Sequence, residues 1–311
     1  KGFHVLPIYG GQDMTGQLRQ LKRGAHVVVG TPGRVMDHLR RGSLKLDGLT
    51  SLVLDEADEM LRMGFIDDVE WILEHTPSER QVALFSATMP KEIKALSKDH
   101  LKNPVEVAVA TVAKTADKIA QSVMHLPPDG KVNAMTKLAK THPGKKIIVF
   151  ARTKRGADKI ARKLVAEGIG AEAIHGNKSQ SQRVRTLASF KNGKTLVLIA
   201  TDIAARGIDV PGVELVVNYD LPNVPESYVH RIGRTARAGA SGLAVSFCTS
   251  EEIKLLRAIE RLIKIKIPAL SADGTPLQEK DIPQPTRAAK RPDAGRPPQR
   301  RRRFKPRQKA S

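Results

Sequence analysis

Two α/β domains built on parallel sheets and followed by a basic tail are predicted by three features of the sequence. Short apolar runs alternate with amphipathic stretches along most of the 311 residues, and such alternation implies parallel sheets covered by helices on both faces. A small-residue stretch without any period, Ala110-Thr111-Val112-Ala113-Lys114-Thr115-Ala116-Asp117, interrupts that rhythm. From Asp281 onward, eleven Lys or Arg stand against two Asp among recurring prolines.

Taken in order, strands are expected at Val5–Tyr9, His26–Val29, Ser51–Leu54, Val82–Phe85 and Val105–Val109. A second set follows at Ala120–Leu126, Lys146–Phe150, Ala171–Ile174, Leu196–Ala200, Leu215–Asn218 and Leu243–Phe247. Between them, Met14–Lys22, Arg34–Arg41, Glu59–Glu74 and Ala157–Glu167 space their apolar residues for helices. The expected boundaries are a first domain at 1–110, a linker at 111–117, a second domain at 118–268 and a disordered Arg/Pro-rich tail at 269–311. Such a tail cannot bury enough apolar surface to fold alone. It reads as an arm that grips phosphate backbone, with a simple solubilising role as the alternative.

Charge narrows the partner. Lys and Arg total 53 against 32 acids, a net +21, which points to a polyanion, usually nucleic acid and less often an anionic membrane. Hydrophobic residues make up 40%, enough for real cores and against a disordered chain. The single cysteine, Cys248, ends the apolar run Ala244–Cys248; it reads as a buried structural thiol in a reducing compartment. No apolar run reaches membrane-spanning length and no signal peptide is visible, so a cytoplasmic protein without a membrane partner is expected. The opening Lys1-Gly2-Phe3-His4-Val5 resembles the middle of a chain, and the expectation is the C-terminal part of a longer protein.

The chemistry centres on Ser51-Leu52-Val53-Leu54-Asp55-Glu56-Ala57-Asp58, an apolar strand ending in three carboxylates. In open parallel sheets ligands bind at the carboxyl ends of strands. Acids there suit Mg²⁺, held through one or two carboxylates, waters and phosphates, and a base for an attacking water. Capping of the following helix accounts for them as well. Gly10-Gly11 follows one strand, and Thr31-Pro32-Gly33-Arg34 follows another and opens a helix. Backbone N–H groups at a helix start can hold a phosphate, and Arg34 adds a charge-assisted contact; ordinary turn punctuation is the alternative. Ser86-Ala87-Thr88 ends the next strand, its hydroxyls free to meet the neighbouring acids or merely local turn atoms.

Later in the chain, Arg152 closes a strand, and Gln180 and Arg183 share a helix face. Thr201-Asp202-Ile203-Ala204-Ala205-Arg206-Gly207-Ile208-Asp209 brings hydroxyl, acid, arginine and glycine to one sheet edge. In His230-Arg231-Ile232-Gly233-Arg234-Thr235-Ala236-Arg237 the arginines recur every third residue, so a helix would project them in one broad sector. An arginine that reaches a γ-phosphate across a cleft is a large term in phosphoryl transfer. A solvated basic face is the alternative, and Gly233 and Gly239 argue against it by suggesting close backbone approach.

From about Gly10 to about Ile263 the sequence resembles the DEAD-box ATP-dependent RNA helicases. Asp55–Asp58, Thr31–Arg34, Ser86–Thr88, Ala200–Asp209 and His230–Arg237 match five of that family's motifs in its order. His175-Gly176-Asn177-Lys178-Ser179-Gln180 and the Arg-rich tail look most like the bacterial RhlE-type subgroup. The resemblance implies two RecA-like domains, ATP and Mg²⁺ as cofactors, and RNA gripped through its backbone. It further implies unwinding of short duplexes or remodelling of RNA–protein complexes, possible partners being ribonucleoprotein or ribosome-assembly complexes.

Carried residue by residue, the resemblance implies that Asp55 holds Mg²⁺ and Glu56 serves as general base. Asp58, Ser86 and Thr88 link the nucleotide site to the opposite domain, and His230 bridges toward the acidic motif. Asp209, with Gly207 beside it, contacts the ribose, and Arg234 and Arg237 are the fingers on the γ-phosphate. Gly11, Thr31, Gly33 and Arg34, with Arg152, Gln180, Arg183, Thr201 and Arg206, line the RNA path. Two departures stand out. No G-x-x-x-x-G-K-[ST] phosphate loop occurs, so such a loop is expected before Lys1 and the 311 residues alone are expected to be a poor catalyst. Ala236 stands where the family usually has Gly, tolerable if the backbone there is helical. A non-catalytic RNA-binding or annealing protein is the alternative from another class, and a DNA-directed ATPase of the same superfamily a third.

Overall fold

The computed structural model describes residues 2–108, 119–236, 241–271 and 274–278. The chain divides into two compact units, Lys1–Ala110 with Lys178–Arg185, and Thr111–Asn177 with Thr186–Ser311.

The first unit runs β1 (Val5–Ile8), α1 (Met14–Lys22), β2 (Val27–Gly30), α2 (Pro32–Arg40), β3 (Ser51–Leu54), α3 (Ala57–Arg62), α4 (Ile66–Glu74), β4 (Gln81–Leu84) and α5 (Lys91–His100). β1 pairs with β2 and β3 with β4, both parallel. Helix starts follow local chemistry. The Asp13 carboxylate accepts from Thr15 N and Gly16 N at 3.1 and 2.9 Å, capping α1. Pro32 opens α2, where its missing N–H costs nothing. Leu6, Ile8 and Leu44 form the core under β1–β2, and Val69, Leu73 and Leu96 the core under β3–β4.

The second unit runs β5 (Ile119–His125), α6 (Gly130–Thr141), β6 (Lys146–Phe150), α7 (Lys154–Ala166), β7 (Ala171–Ile174), α8 (Gln180–Lys191), β8 (Val197–Ala200), α9 (Asp202–Ala205), β9 (Val213–Asn218), α10 (Pro225–Ile232), β10 (Gly242–Cys248), a 3₁₀ turn (Ser250–Glu252), α11 (Ile253–Ile263) and β11 (Ala269–Leu270). Its seven strands lie in the order β11-β5-β10-β9-β6-β8-β7, every described pairing parallel. Alternate residues of β6 show how the sheet is filled. Ile147 and Val149 pack with Ala134, Met135, Ile160 and Leu164 of α6 and α7, while Ile148 and Phe150 pack with Phe190, Ala204 and Ala205 of α8 and α9. Tyr228, Ile232, Ile259 and Ile263 of α10 and α11 cover the β5–β10 end.

Three expectations are corrected. Glu59–Glu74 is two helices, because Gly64 at φ +76° turns the chain between α3 and α4. Residues 105–108 form no strand, and Val105 and Val107 are 88% and 81% exposed; β-propensity makes a strand only where a neighbour completes the ladder. Val109 lies outside the described residues. Ala269–Leu270, assigned to the tail, instead extends the sheet beside Val123 and Met124 of β5. The basic stretch from Asp281 lies outside the described residues, as do 109–118.

Candidate functional site

β3 and β4 run side by side with Leu54 opposite Leu84, so the segments that follow them leave one sheet edge together. Phe85 N donates to Leu54 O at 2.7 Å and Ala57 N to Phe85 O at 3.1 Å, which extends the ladder into the loops. Glu56 then adopts φ 53°, ψ 46°, the left-handed region, immediately before α3. For a non-glycine residue that conformation costs about 1–2 kcal/mol, and strain of this kind gathers at functional positions. Asp55 and Glu56 are both exposed, with Asp55 Oδ1 accepting from Glu56 N at 2.9 Å.

Asp58 does the opposite. It is 3% exposed, and its Oδ2 accepts from Thr88 Oγ1 at 2.8 Å and Thr88 N at 3.1 Å. Asp58 N donates to Ser86 Oγ at 3.1 Å, and that hydroxyl donates to Thr88 O at 2.6 Å. The two loops are thereby closed into a ring. Arg62 stands 3.7 Å from Asp58 and also pairs with Glu59. Ser86 and Thr88 therefore join Asp58, and no hydrogen bond among the described residues joins them to Asp55 or Glu56. The four-residue acidic run splits into two outward carboxylates and one inward tether.

At the β1–β2 edge, Gly11 takes φ +77°, and Thr31 precedes α2 without a side-chain capping bond. Gly33 in the first turn of α2 has open space where a Cβ would stand. Arg34, expected to add a charge-assisted contact to a phosphate, is engaged within its own unit. Its side chain is 13% exposed, and Nη1 donates to Gln17 Oε1 at 3.0 Å and Gln12 O at 3.4 Å. Gln17 Nε2 donates to Tyr9 O at 3.1 Å, and Gln17 Oε1 also lies 3.0 Å from His38 Nε2. Burial pushes the His38 pKa down, and the Arg34 charge adds to that push. Arg34 thus shapes the glycine turn from behind. No local pattern joins Gln17 to His38, which lie 21 positions apart and belong to no shared motif.

In the second unit the loops after β8, β9 and β6 leave the carboxyl edge of the large sheet. Arg231 is 3% exposed. It donates from Nε and Nη2 to Asp202 at 2.6 and 2.8 Å, and from Nη1 to Asp220 O at 2.7 Å and Asn218 Oδ1 at 3.2 Å. Its guanidinium also lies 5.0 Å from the Phe150 ring centroid. The expectation that Arg231 shares an outward sector with Arg234 therefore fails. α10 ends at Ile232, and a buried bidentate pair holds Arg231 inside. Asp202 is consumed by that pair, and Thr201, which precedes α9, makes no capping bond with its side chain.

Arg234 is half-buried, with Nη1 donating to Ile208 O at 3.1 Å and Nε to His230 O at 3.2 Å. His230, Arg206, Arg234 and Asp202 line one small crevice. Gly207 at φ +65° leads into exposed Asp209. Arg183 Nη1 donates to Gln180 Oε1 at 3.3 Å in the first turn of α8. The close approach expected at Gly233 is to its own helix, where an added Cβ would sit 3.2 Å from Val229 O. Arg237 and Gly239 lie outside the described residues. Ala236 is at φ 55°, left-handed rather than helical, which explains why glycine suits that position better.

Asp220 and Glu252, which no motif singled out, gather Arg152 and Lys131 at the same edge. Burial, with Glu252 nearby, pushes the Cys248 thiol up to about 12, which fits a structural thiol and not a nucleophile. Among the described residues no group of three or more His, Cys, Asp or Glu could hold a metal. The exposed Asp55 carboxylate fits a Mg²⁺ that arrives on a nucleotide and keeps several waters. No helix of the described residues is long and apolar enough to cross a membrane.

One α/β unit thus carries acids at a sheet edge, and the other carries arginines at a sheet edge. A family model described as DEAD/DEAH box helicase matches residues 1–96, and one described as helicase conserved C-terminal domain matches 130–239. The DEAD-box ATP-dependent RNA helicase CshA of Geobacillus kaustophilus is 49% identical over 86% of this chain and 57% of its own length. The ATP-dependent RNA helicase DeaD of Mycobacterium tuberculosis is 52% identical over 83% of this chain and 46% of its own. Among solved structures, S. cerevisiae Dbp5 bound to RNA and ADP BeF3 is 32% identical, with a TM-score of 0.79 over 88% of this chain and 71% of that one. The chain belongs to the DEAD-box helicase family, and its domains are RecA-like. It spans about half the length of these curated relatives. Their names give no support to an RhlE-type placement.

Proposed function

We propose that this chain carries the motor residues of an ATP-dependent RNA helicase, which couples Mg²⁺-assisted ATP hydrolysis to the unwinding of short duplexes or the remodelling of RNA–protein complexes in the cytoplasm. The observation that carries this reading is the split acidic run. Asp55 and Glu56 are held outward by a strained turn, and that turn is locked by the buried Asp58–Ser86–Thr88 ring.

In this reading residues 1–110 supply the acids, 118–268 supply the arginines, and 111–117 join them. Mg²⁺, when bound with ATP, neutralises phosphate charge beside Asp55. Glu56 takes the proton of the attacking water. Arg234 and Arg237 meet the γ-phosphate, Asp209 beside Gly207 meets the ribose, and His230 reaches the acidic loop. Gly11, Thr31 and Gly33 present backbone to an RNA phosphate chain, with Arg34 fixing the turn. Thr201, Arg206, Gln180, Arg183 and Arg152 present the other half of that path. RNA as partner is supported by structural relatives solved with RNA, among them Mss116p bound to ssRNA and AMP-PNP, 28% identical over 86% of this chain and 57% of that one with a TM-score of 0.74, and by the net charge of +21.

The test is ATP turnover by the full-length protein with RNA and with DNA of one sequence. Stimulation by RNA well above that by DNA is expected. Equal stimulation by both would favour a DNA-directed ATPase, and RNA binding without any turnover would favour a non-catalytic annealing protein.

A further inference from the structure

Four loops at the carboxyl edge of the large sheet converge on one buried carboxylate. Glu252 is 6% exposed, at the end of the 3₁₀ turn that follows β10. Its Oε2 accepts from Lys131 Nζ at 2.8 Å and from Thr249 N and Oγ1 at 3.2 and 3.3 Å. Its Oε1 accepts from Arg152 Nη2 at 2.6 Å and Leu221 N at 3.3 Å. Asp220 closes the figure, with Oδ1 at 3.2 Å from Lys131 Nζ and Oδ2 accepting from Arg152 N at 2.9 Å. Lys131 is 4% exposed and also donates to Tyr219 O at 2.8 Å. Two cations and two anions thus balance in a pocket where an unpaired charge would be costly.

The members of this quartet differ in exposure. Lys131 and Glu252 are buried, whereas the Arg152 side chain is 44% exposed. Glu252 and Leu221 O occupy Nη2, and no other side-chain hydrogen bond of Arg152 is formed among the described residues. One edge of the guanidinium is clamped and the other is offered outward. An arginine on a free stem loses rotamer entropy on meeting a phosphate, and a clamp that fixes the fork beforehand removes part of that loss.

We infer that Glu252 is a positioning residue for Arg152: with Lys131 as its buried counter-charge, it holds the guanidinium at the sheet edge in the orientation that meets an RNA phosphate. This rests on the proposed RNA path through Arg152. Glu252 touches no substrate itself. Lys131 keeps the carboxylate centred, so that Arg152 is held without being drawn into the interior.

The experiment is a double-mutant cycle in the full-length protein, with Arg152→Ala, Glu252→Gln and the pair. It reads the affinity for a single-stranded RNA oligonucleotide across a salt series, with thermal melting alongside. Arg152→Ala is expected to weaken binding and flatten the salt slope by about 0.7, the value for one phosphate contact on a single strand. Glu252→Gln is expected to reproduce most of that flattening, and the pair to be no weaker than Arg152→Ala alone. Glu252→Asp, which keeps the charge for Lys131 but shortens the reach to Arg152, is expected to flatten the slope with a smaller change in melting, and it serves if Glu252→Gln does not fold. A lowered melting temperature with an unaltered slope in both Glu252 variants, or losses that add in the pair, would overturn the positioning role alone. An unaltered slope in Arg152→Ala would overturn the RNA contact at Arg152 and the positioning role with it.

Discussion

The two units use the same strand polarity and differ in how they hold their charged residues. In the second, β6 is filled on both faces, and Ile147, Ile148, Val149 and Phe150 are all at most 2% exposed. In the first, the described residues fill one face of each small sheet. Val5, Val27, Val29, Val53 and Phe85, on the other, are 43–60% exposed. Parallel sheets are ordinarily covered on both sides. The charged groups themselves differ: the second unit holds Arg231 by a buried bidentate pair with Asp202, and the first holds its acids outward by a strained turn locked to a local ring of hydrogen bonds at one sheet edge.

The largest effect expected from breaking that comparison falls on chemistry. Glu56→Gln in the full-length protein removes a base without touching the Asp58 ring, and ATP turnover should fall by roughly 10²–10⁴ while RNA affinity and melting stay within error. Next come stability effects in the second unit. Arg231→Ala strands Asp202 and the carbonyl of Asp220, and should cost about 3–5 kcal/mol in denaturant unfolding, as breaking a buried pair does; a cost under about 1 kcal/mol would return Arg231 to the surface. Leu198→Ala, at a fully buried position, should cost about 2–5 kcal/mol. A cost under about 1 kcal/mol would contradict a sheet filled on both faces there. The smallest effect is a gain. Ala236→Gly relieves a left-handed alanine and should stabilise by about 1 kcal/mol, read as a raised melting temperature.

Much of this was legible beforehand, and unevenly so. Ser51–Leu54, Lys146–Phe150, Ala171–Ile174 and Met14–Lys22 fall where apolar spacing put them, because burial on regular faces imposes the period. Residues 105–108 misled, since a β-branched run without a partner strand among the described residues reads like one that has a partner. The strand Ala269–Leu270 was hidden by its length of two residues. At the site, motif residues were legible as a set, but their orientation was not. Asp55 and Asp58 look alike in sequence, and only the left-handed turn at Glu56 sends one outward and the other to Thr88. Arg231 and Arg234 look alike too, until Asp202 claims the first. Glu252 and Lys131 lay outside every motif, 121 positions apart, and no local signal could have joined them.

The central claim is that acids on one unit and arginines on the other serve a single γ-phosphate. Its most direct measurement is single-turnover ATP hydrolysis by the full-length Arg234→Ala variant at saturating RNA, with Mg·ATP affinity determined in parallel. A rate lowered by roughly 10³–10⁵, the range for loss of an arginine finger, with nucleotide still bound, is the predicted result. A rate within tenfold of the unaltered protein would contradict it.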